Sequence, residues 1–351
     1  MTVLRWCRLV FWANLGLVVC LGGIVFGLHE SQARIRGLLV EFRNSLMMRS
    51  ASNARVFSSA PDDLLGHDFY TDSPAMIAAW RPRLRAVVPT ATAGLASLRD
   101  EVDRAKAVVL SFARSGDNRP IYRMALLDKV VETQRGSGFC SDYVEIFLAL
   151  SAVNGLTARE VQNDVHGFAD FFSRTRSKWI FVDPQYGILA TDEAGTYLSS
   201  LELRQRRLTG LPVRFVFFGT ADGTIKSEED PRFRALYGDA SRFKRYVLTY
   251  GNNVLTEASR SESVAFLPWE ARQLLLYASA TKPHLLVLAD SFADEYVRHA
   301  QWYRLVFFVI SGYFVIALSC YPLLVLVTRL RVWETSRIRE HARKTNPSSA
   351  A

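Results

Sequence analysis

The fold prediction starts from residues 136–155, which read GSGFCSDYVEIFLALSAVNG. Glycines at the first and third of these positions disfavour a helix there. Apolar residues then recur with helical spacing as far as Val153, and Asn154-Gly155 is a favourable helix end. The stretch therefore predicts a glycine loop followed by an apolar helix, with Cys140 at or next to the first residue of that helix.

The composition of the chain changes beyond this helix. Short segments rich in aromatic and β-branched residues follow, separated by polar turns, and this pattern is typical of antiparallel strands. Helical spacing precedes the glycine loop over Asp100–Ala113 and Ile121–Thr133. Helices followed by strands predict an α+β fold in which the Cys140 helix packs on an antiparallel sheet. The predicted strands are Thr157–Asp164, His166–Phe172, Lys178–Asp183, Val213–Gly219 and Arg245–Tyr250, with further helices near Tyr197–Arg207 and Pro268–Ala278.

Three side chains in these elements fit a nucleophilic cysteine site. Cys140 at a helix N-terminus meets partial positive charge and free N–H groups, which lower a thiol pKa and can hold an oxyanion. His166 at a strand start can take the thiol proton, and Asp183 at the end of the next strand can orient the imidazole. Asp164 and Asp170 are alternatives for the third position. Asp183 is preferred over Asp170, which lies further along the strand of His166 instead of reaching across from its neighbour.

These residue types also have ordinary structural explanations. A lone cysteine such as Cys140 is more often a small buried hydrophobic residue, and a lone histidine is more often structural than catalytic. The occurrence of His166 with Cys140 and Asp183 in this order reverses that preference. Gln162, on the strand before His166, can donate to an oxyanion, but a surface amide is the favoured interpretation.

Four motif segments occur in order along the chain: GFCSDY (138–143), NGLTAREV (154–161), His166 and WIFVDP (179–184). Together they resemble the transglutaminase-like branch of the papain-like cysteine enzymes, over about Asp100–Gly187, a quarter of the chain. The resemblance implies a papain-like core with Cys140 as nucleophile, His166 as general base and acid, and Asp183 as orienting carboxylate. The chain departs from the family at Gly167-Phe168, because the family usually carries an aromatic residue, often Trp, one or two positions after the histidine.

Two long apolar runs, Leu9–Leu28 and Leu305–Val327, contain no charged side chain, and each is long enough to span a bilayer as a helix. Most of the net charge of +9 lies beside them, at Arg5 and Arg8 and among six basic and two acidic residues after the second run. The positive-inside rule then predicts both termini in the cytoplasm and the body outside. A cleaved signal peptide ending near Ser31–Ala33 is the alternative for the first run, but its length favours an uncleaved anchor.

This topology is typical of a bacterial inner-membrane protein with a periplasmic domain. The exported body contains a single cysteine, Cys140, so no internal disulfide is predicted there. The predicted divisions are a cytoplasmic N-terminus (1–8), a first span (9–28), a membrane-proximal helical region (29–97), a transglutaminase-like domain (98–250), a second membrane-proximal region (251–304), a second span (305–327) and a basic cytoplasmic tail (328–351).

The sequence has no signature of a metal, cofactor or nucleic-acid partner. It contains no HExxH, no CxxC, no phosphate-binding glycine fingerprint and no oxygen-rich calcium loop, and the acidic Thr220–Asp230 is interpreted as a solvated turn. The basic flanks are explained by topology and by contact with the lipid bilayer. The predicted function is a peptidase or amidase, in preference to a transamidase, acting on an envelope protein or peptide. The alternative is a non-catalytic scaffold or binding component of an envelope or polysaccharide assembly.

Overall fold

The computed structural model separates the chain into two compact units. One comprises Met1–Leu46 and Arg298–Ala351, and the other comprises Met47–Val297, so the predicted domain over 98–250 lies inside the second unit. The structure describes residues 3–31, 48–49, 57–64, 70–92, 95–114, 119–163, 165–219, 227–249, 251–279, 281, 285–288 and 294–345.

Helices and strands are mixed in the second unit, and the predicted α+β class is confirmed. In chain order, the described elements are α1 (Val3–Ser31), β1 (Met48–Arg49), β2 (Tyr70–Thr71), α2 (Pro74–Val87), α3 (Glu101–Phe112), α4 (Leu126–Gln134), α5 (Cys140–Val153), β3 (Ala158–Gln162), β4 (Gly167–Ser173), β5 (Lys178–Asp183), β6 (Ile188–Thr191), α6 (Ser200–Thr209), β7 (Arg214–Phe217), β8 (Val247–Thr249), β9 (Gly251–Asn252), α7 (Val254–Ser263), α8 (Trp269–Ala278), β10 (Leu285–Val287) and α9 (Asp294–Thr345). Short helical turns lie at Pro61–Leu64, Pro89–Thr92, Leu95–Ser97, Pro231–Phe233, Arg234–Gly238 and Ala240–Phe243.

Eight strands form one sheet in the order β1-β10-β8-β3-β4-β5-β6-β7. The β1–β10 pair is parallel, and all other neighbours in this sheet are antiparallel. Asp170 of β4 lies opposite Phe181 of β5, and Ala169 lies opposite Val182. This register brings the start of β4, which follows His166, to the end of β5, where Asp183 lies.

The helix α5 packs against one face of this sheet. Its Val144, Phe147 and Leu150 are fully buried, together with the small Ala158 and Ala169 on the facing strands. A helix that is apolar on nearly all sides is stable only when it is enclosed, and α2, α3 and α4 complete that enclosure. The opposite face of the sheet carries a second, mainly aromatic cluster that includes Phe168, Phe181, Phe215, Tyr237 and Phe243.

The prediction is wrong in some short segments. Met48–Arg49, in the membrane-proximal region predicted to be helical (29–97), form β1 because their backbone pairs with β10; residues 32–47, 50–56, 65–69 and 93–94 of that region lie outside the described residues. The strand predicted to open at His166 begins one residue later, at Gly167.

Helix α9 contains the second apolar run. Within the described residues, one helical segment, Val297–Arg337, is long and apolar enough to cross a membrane, and only 6% of its most apolar window is buried inside the protein. Such a surface is unlike that of a core helix, whose apolar residues are enclosed. The first apolar run lies within the helix α1, and its spanning of a membrane stays a prediction.

Candidate active site

Cys140 is the first residue of α5, as the glycine pattern predicts. The preceding Phe139 has extended backbone, and its N–H donates to the Asp142 carboxylate over 2.9 Å, which fixes the start of the helix. Gly138 has a φ of +125°, and a Cβ at this position would lie 3.2 Å from Ile121 Cδ1. Glycine is therefore required at this turn, and the turn sets the direction in which the chain enters the helix at Cys140.

The first turn of α5 leaves backbone donors beside the thiol. The N–H groups of Asp142 and Tyr143 both donate to the Phe139 carbonyl. Those of Cys140 and Ser141 have no backbone or side-chain oxygen as acceptor within the part of the chain that the structure describes. Unpaired N–H groups at a helix N-terminus carry partial positive charge, so this turn can stabilise an anion next to the Cys140 sulfur.

His166 is held at the site by a short turn. The N–H groups of Val165 and His166 both donate to Asn163 Oδ1, at 3.0 Å and 2.8 Å, and the Asn163 N–H donates to the His166 carbonyl at 3.0 Å. His166 is only 4% exposed. Asp164, one of the alternatives for the third position, lies outside the described residues.

Asp183, which the sequence predicts as the third residue of the site, contacts the imidazole of His166. Its Oδ2 lies 2.8 Å from His166 Nε2, and both side chains are buried. The other oxygen, Oδ1, accepts the N–H groups of Gln185 at 2.9 Å and Tyr186 at 3.2 Å. A carboxylate oriented by backbone donors fixes both the position and the tautomer of the histidine that it contacts.

The thiol and the imidazole shift each other's ionisation. Burial raises the pKa of Cys140, but a hydrogen bond with His166, the charge of that ring and the Gly167 N–H outweigh burial, and the thiol pKa is lowered. Burial likewise opposes charge on His166, but Asp183 and then Cys140 raise its pKa to about 10. At neutral pH this arrangement favours a thiolate beside an imidazolium.

Gly167 brings the backbone of β4 close to the nucleophile. A Cβ at this position would lie 3.8 Å from both Cys140 Sγ and the Ser141 nitrogen. Glycine at this residue thus keeps side-chain atoms away from the sulfur and the first-turn donors. Phe168, which follows, points into the aromatic cluster, with its ring 6.3 Å from that of His166.

The alternative carboxylate, Asp170, is used elsewhere. Its Oδ2 accepts from Arg159 Nη2 at 2.9 Å and from Ser200 Oγ at 2.7 Å, and its Oδ1 accepts the Ser200 N–H. The Arg159–Asp170 pair is fully buried, and the guanidinium lies 3.8 Å from the centre of the Trp179 ring. Asp170 therefore balances a buried cation and does not take the third position of the site.

Gln162 lies opposite Gly167 in the β3–β4 ladder, so it is adjacent to the nucleophile. Its Cγ would lie 3.9 Å from a Cβ at Gly167, and its amide donates to the Glu160 carboxylate. The side chain is half-buried near the thiol, and its N–H₂ group bonds to a neighbouring acid, so the choice between a surface amide and an oxyanion donor stays a prediction.

Two aromatic residues of the site were not predicted. Tyr237 Oη donates to Asp183 Oδ2 over 2.7 Å, and the ring of Tyr186 lies 5.8 Å from the imidazole. Tyr186 lies three residues after Asp183, at the predicted Asp-Pro strand end, so its position near the site could have been predicted from the sequence. Tyr237 lies 54 residues beyond Asp183, in helical turns without a periodic pattern, and no sequence signal identifies it.

The residues whose placement is described contain no group of three or more His, Cys, Asp or Glu side chains that could hold a metal ion. In the predicted solvated turn Thr220–Asp230, residues 220–226 lie outside the described residues, and Asp230 pairs with Arg232 at 2.7 Å.

No family model matches the chain, and no curated protein and no solved structure shows significant similarity to it.

Proposed function

We propose that this chain is a membrane-anchored, transglutaminase-like cysteine enzyme with a papain-like core, which acts on amide bonds through a thioester intermediate. One observation carries the proposal: His166 Nε2 lies 2.8 Å from Asp183 Oδ2, and a Cβ at Gly167, the residue after His166, would lie 3.8 Å from Cys140 Sγ. The pKa of Cys140 is lowered by a hydrogen bond with His166 and by the charge of its ring. The four motif segments support it independently, because they include all three residues. A nucleophile, a base and an orienting group in contact are the minimum that covalent acyl transfer requires.

The reaction begins from the thiolate–imidazolium pair. The Cys140 sulfur attacks the carbonyl carbon of the amide, a C–S bond forms, and negative charge develops on the carbonyl oxygen near the N–H groups of Cys140 and Ser141. The His166 imidazolium gives its proton to the leaving amine as the C–N bond breaks. Water then attacks the thioester and His166 takes a water proton. Loss of the thiolate releases a carboxylic acid and restores the starting pair.

Hydrolysis is favoured over transfer to an amine because the nucleophile is only partly buried. Cys140 is partly exposed, and the residues before Cys140 and before His166, Phe139 and Val165, are 40% and 46% exposed. Water therefore reaches a thioester at Cys140. Preference for another acceptor requires a site that excludes water, so a peptidase or amidase activity fits this site better than transamidation.

The membrane placement is part of the same proposal. The helix α9 with its exposed apolar span, the helical form of the first apolar run and the basic residues beside both runs support two spans with cytoplasmic termini. The site then faces the periplasm, and its substrate is an envelope protein or peptide. Labelling of a cysteine placed at the exposed Asp103 by a membrane-impermeant maleimide, in intact cells whose outer membrane is permeabilised, tests this topology.

Thiol reactivity tests the enzyme proposal. The full-length protein in detergent is treated with iodoacetamide at pH 6, where about 0.3% of an ordinary thiol is ionised, and modification of the Cys140 peptide is followed by mass spectrometry. We expect Cys140 to react about tenfold or more faster than free cysteine, His166→Ala to abolish this excess, and His299→Ala, a histidine outside the site, to preserve it. Slow labelling that does not depend on His166 would favour the non-catalytic scaffold.

A further inference from the structure

Tyr237 contacts the same oxygen of the Asp183 carboxylate that contacts His166. Its hydroxyl donates to Asp183 Oδ2 over 2.7 Å, and the same oxygen lies 2.8 Å from His166 Nε2. The second carboxylate oxygen is already engaged by two backbone N–H groups. One oxygen of Asp183 is therefore shared between an imidazole and a phenol hydroxyl.

The surroundings of Tyr237 hold this hydroxyl in place. The residue is 1% exposed, its ring stacks on Phe233 with centroids 5.1 Å apart, and it meets the His166 ring edge-on at 5.8 Å. Arg207 Nη2 donates to the Tyr237 carbonyl over 2.7 Å, which ties the backbone of this turn to α6. A buried tyrosine hydroxyl normally needs a partner, and here that partner is the carboxylate of the candidate site.

The hydroxyl remains a donor across the range in which the site would work. Burial raises the pKa of Tyr237 well above its usual range, and burial followed by the charge of Asp183 raises that of Tyr186 to about 12. Both phenols are therefore protonated at neutral pH. Among the described residues, the titratable groups that face His166 are Cys140 from α5, Asp183 from β5, Tyr186 from the β5–β6 turn and Tyr237 from the Arg234–Gly238 turn. Asp230 and Arg232 lie near Tyr186, and Tyr246 lies near Tyr237.

We propose that Tyr237 is a positioning residue of the cysteine site, which fixes Asp183 Oδ2 against His166 and takes up part of its negative charge. Hydrogen bonds to an ionised carboxylate are strong and stabilise its charge. The Tyr237 hydroxyl thus weakens the attraction of Asp183 for the imidazolium proton, and His166 gives that proton more readily to a leaving amine. The inference rests on the proposed cysteine chemistry and adds a fourth residue to it.

The test uses Tyr237→Phe in the full-length protein and two alkylating reagents on Cys140. Iodoacetate is an anion, so its reaction slows when the neighbouring imidazolium loses its proton, whereas iodoacetamide is neutral and reports thiolate formation. In Tyr237→Phe we expect the high-pH decline of the iodoacetate rate to move up by about one pH unit, while the iodoacetamide rate at neutral pH stays close to that of the native protein. A merely structural role would lower the melting temperature without moving this decline.

Tyr246→Phe is the matched control, because it removes a second buried hydroxyl from the same aromatic cluster, and this hydroxyl has no hydrogen-bond partner among the described residues. We expect its pH profile to match the native one. If Tyr237→Phe fails to fold, 3-fluorotyrosine at position 237 keeps the hydroxyl as a stronger donor and is expected to move the decline to lower pH. If the iodoacetate rate declines at the same pH as in the native protein, in whichever of the two altered proteins folds, the inference is overturned. Slow labelling of the native protein that does not depend on His166 would instead overturn the enzyme proposal itself.

Discussion

Asp183→Asn is the substitution that tests the electrostatics of the site most directly. Asparagine keeps the shape of the side chain and can still accept the Gln185 and Tyr186 N–H groups through Oδ1. It removes the negative charge that lies 2.8 Å from His166 Nε2. The change therefore separates the charge of Asp183 from its packing.

The size of the effect follows from the pKa of His166. In the native protein burial opposes the charged imidazolium, but Asp183 and then Cys140 raise its pKa to about 10. In Asp183→Asn the carboxylate is absent while burial and the smaller influence of Cys140 remain, so we expect the pKa of His166 to fall to about the ordinary 6.5 or below. At pH 7.5 the charged fraction of His166 then falls from nearly all to below about a tenth. The Cys140 thiolate loses its counter-charge to the same extent, so alkylation should slow at least about tenfold.

The assay is the iodoacetamide rate at Cys140, measured between pH 5 and pH 10. For Asp183→Asn we expect the rise in rate with pH to occur near that of an ordinary thiol instead of at lower pH. Asp103→Asn serves as the control, because Asp103 has an exposed side chain far in sequence from the site. A native rate and a native pH profile in Asp183→Asn would refute the assignment of Asp183 as the group that charges His166.

Two further predictions concern stability. Asp170→Asn leaves the fully buried Arg159 without its carboxylate, and we expect a loss of about 3–5 kcal/mol in the free energy of unfolding by denaturant titration; Asp62→Asn, which breaks the exposed pair with Arg174, should change it little. Because the pKa of His166 is raised on folding, its contribution to stability is complete below about pH 6.5 and is lost as the pH rises to about 10. The test uses a Cys140→Ala background, which removes the titration of the thiol. Over this pH range the unfolding midpoint should fall more in Cys140→Ala than in the double variant Cys140→Ala/His166→Gln. Parallel curves for the two proteins would contradict the raised pKa of His166.

The sequence predicts those parts of the site whose geometry depends on local patterns. The glycines before Cys140 cannot continue a helix and the apolar residues after it must be buried in one, so the start of α5 is set within a few residues. Strands β3, β4 and β5 are joined by short polar turns, which force antiparallel neighbours. His166 and Asp183 are close because of this strand register, and no contact between segments distant in sequence is needed to bring them together.

The unpredicted parts depend on contacts between distant segments. The strands β1 and β10 have only two and three residues, too few to produce a periodic signal, and their pairing joins Met48 to Leu285. Tyr237 lies in helical turns whose path over the sheet is decided by aromatic packing against β5 and β7. No spacing rule relates such a residue to Asp183, so only the folded chain reveals the contact.

Asp170 and Asp183 illustrate how one sheet face assigns different roles to two carboxylates. Both are fully buried and lie on the aromatic side of the sheet, and either was a plausible partner for His166 from the sequence. Asp170 faces the Arg159 guanidinium, which remains charged at every relevant pH, so this pair can hold β3 to β4 but cannot exchange a proton. Asp183 instead faces an imidazole and a phenol, whose proton positions respond to charge. The chemistry of the partner, and not the burial or the strand position of the acid, therefore determines which carboxylate can support proton transfer.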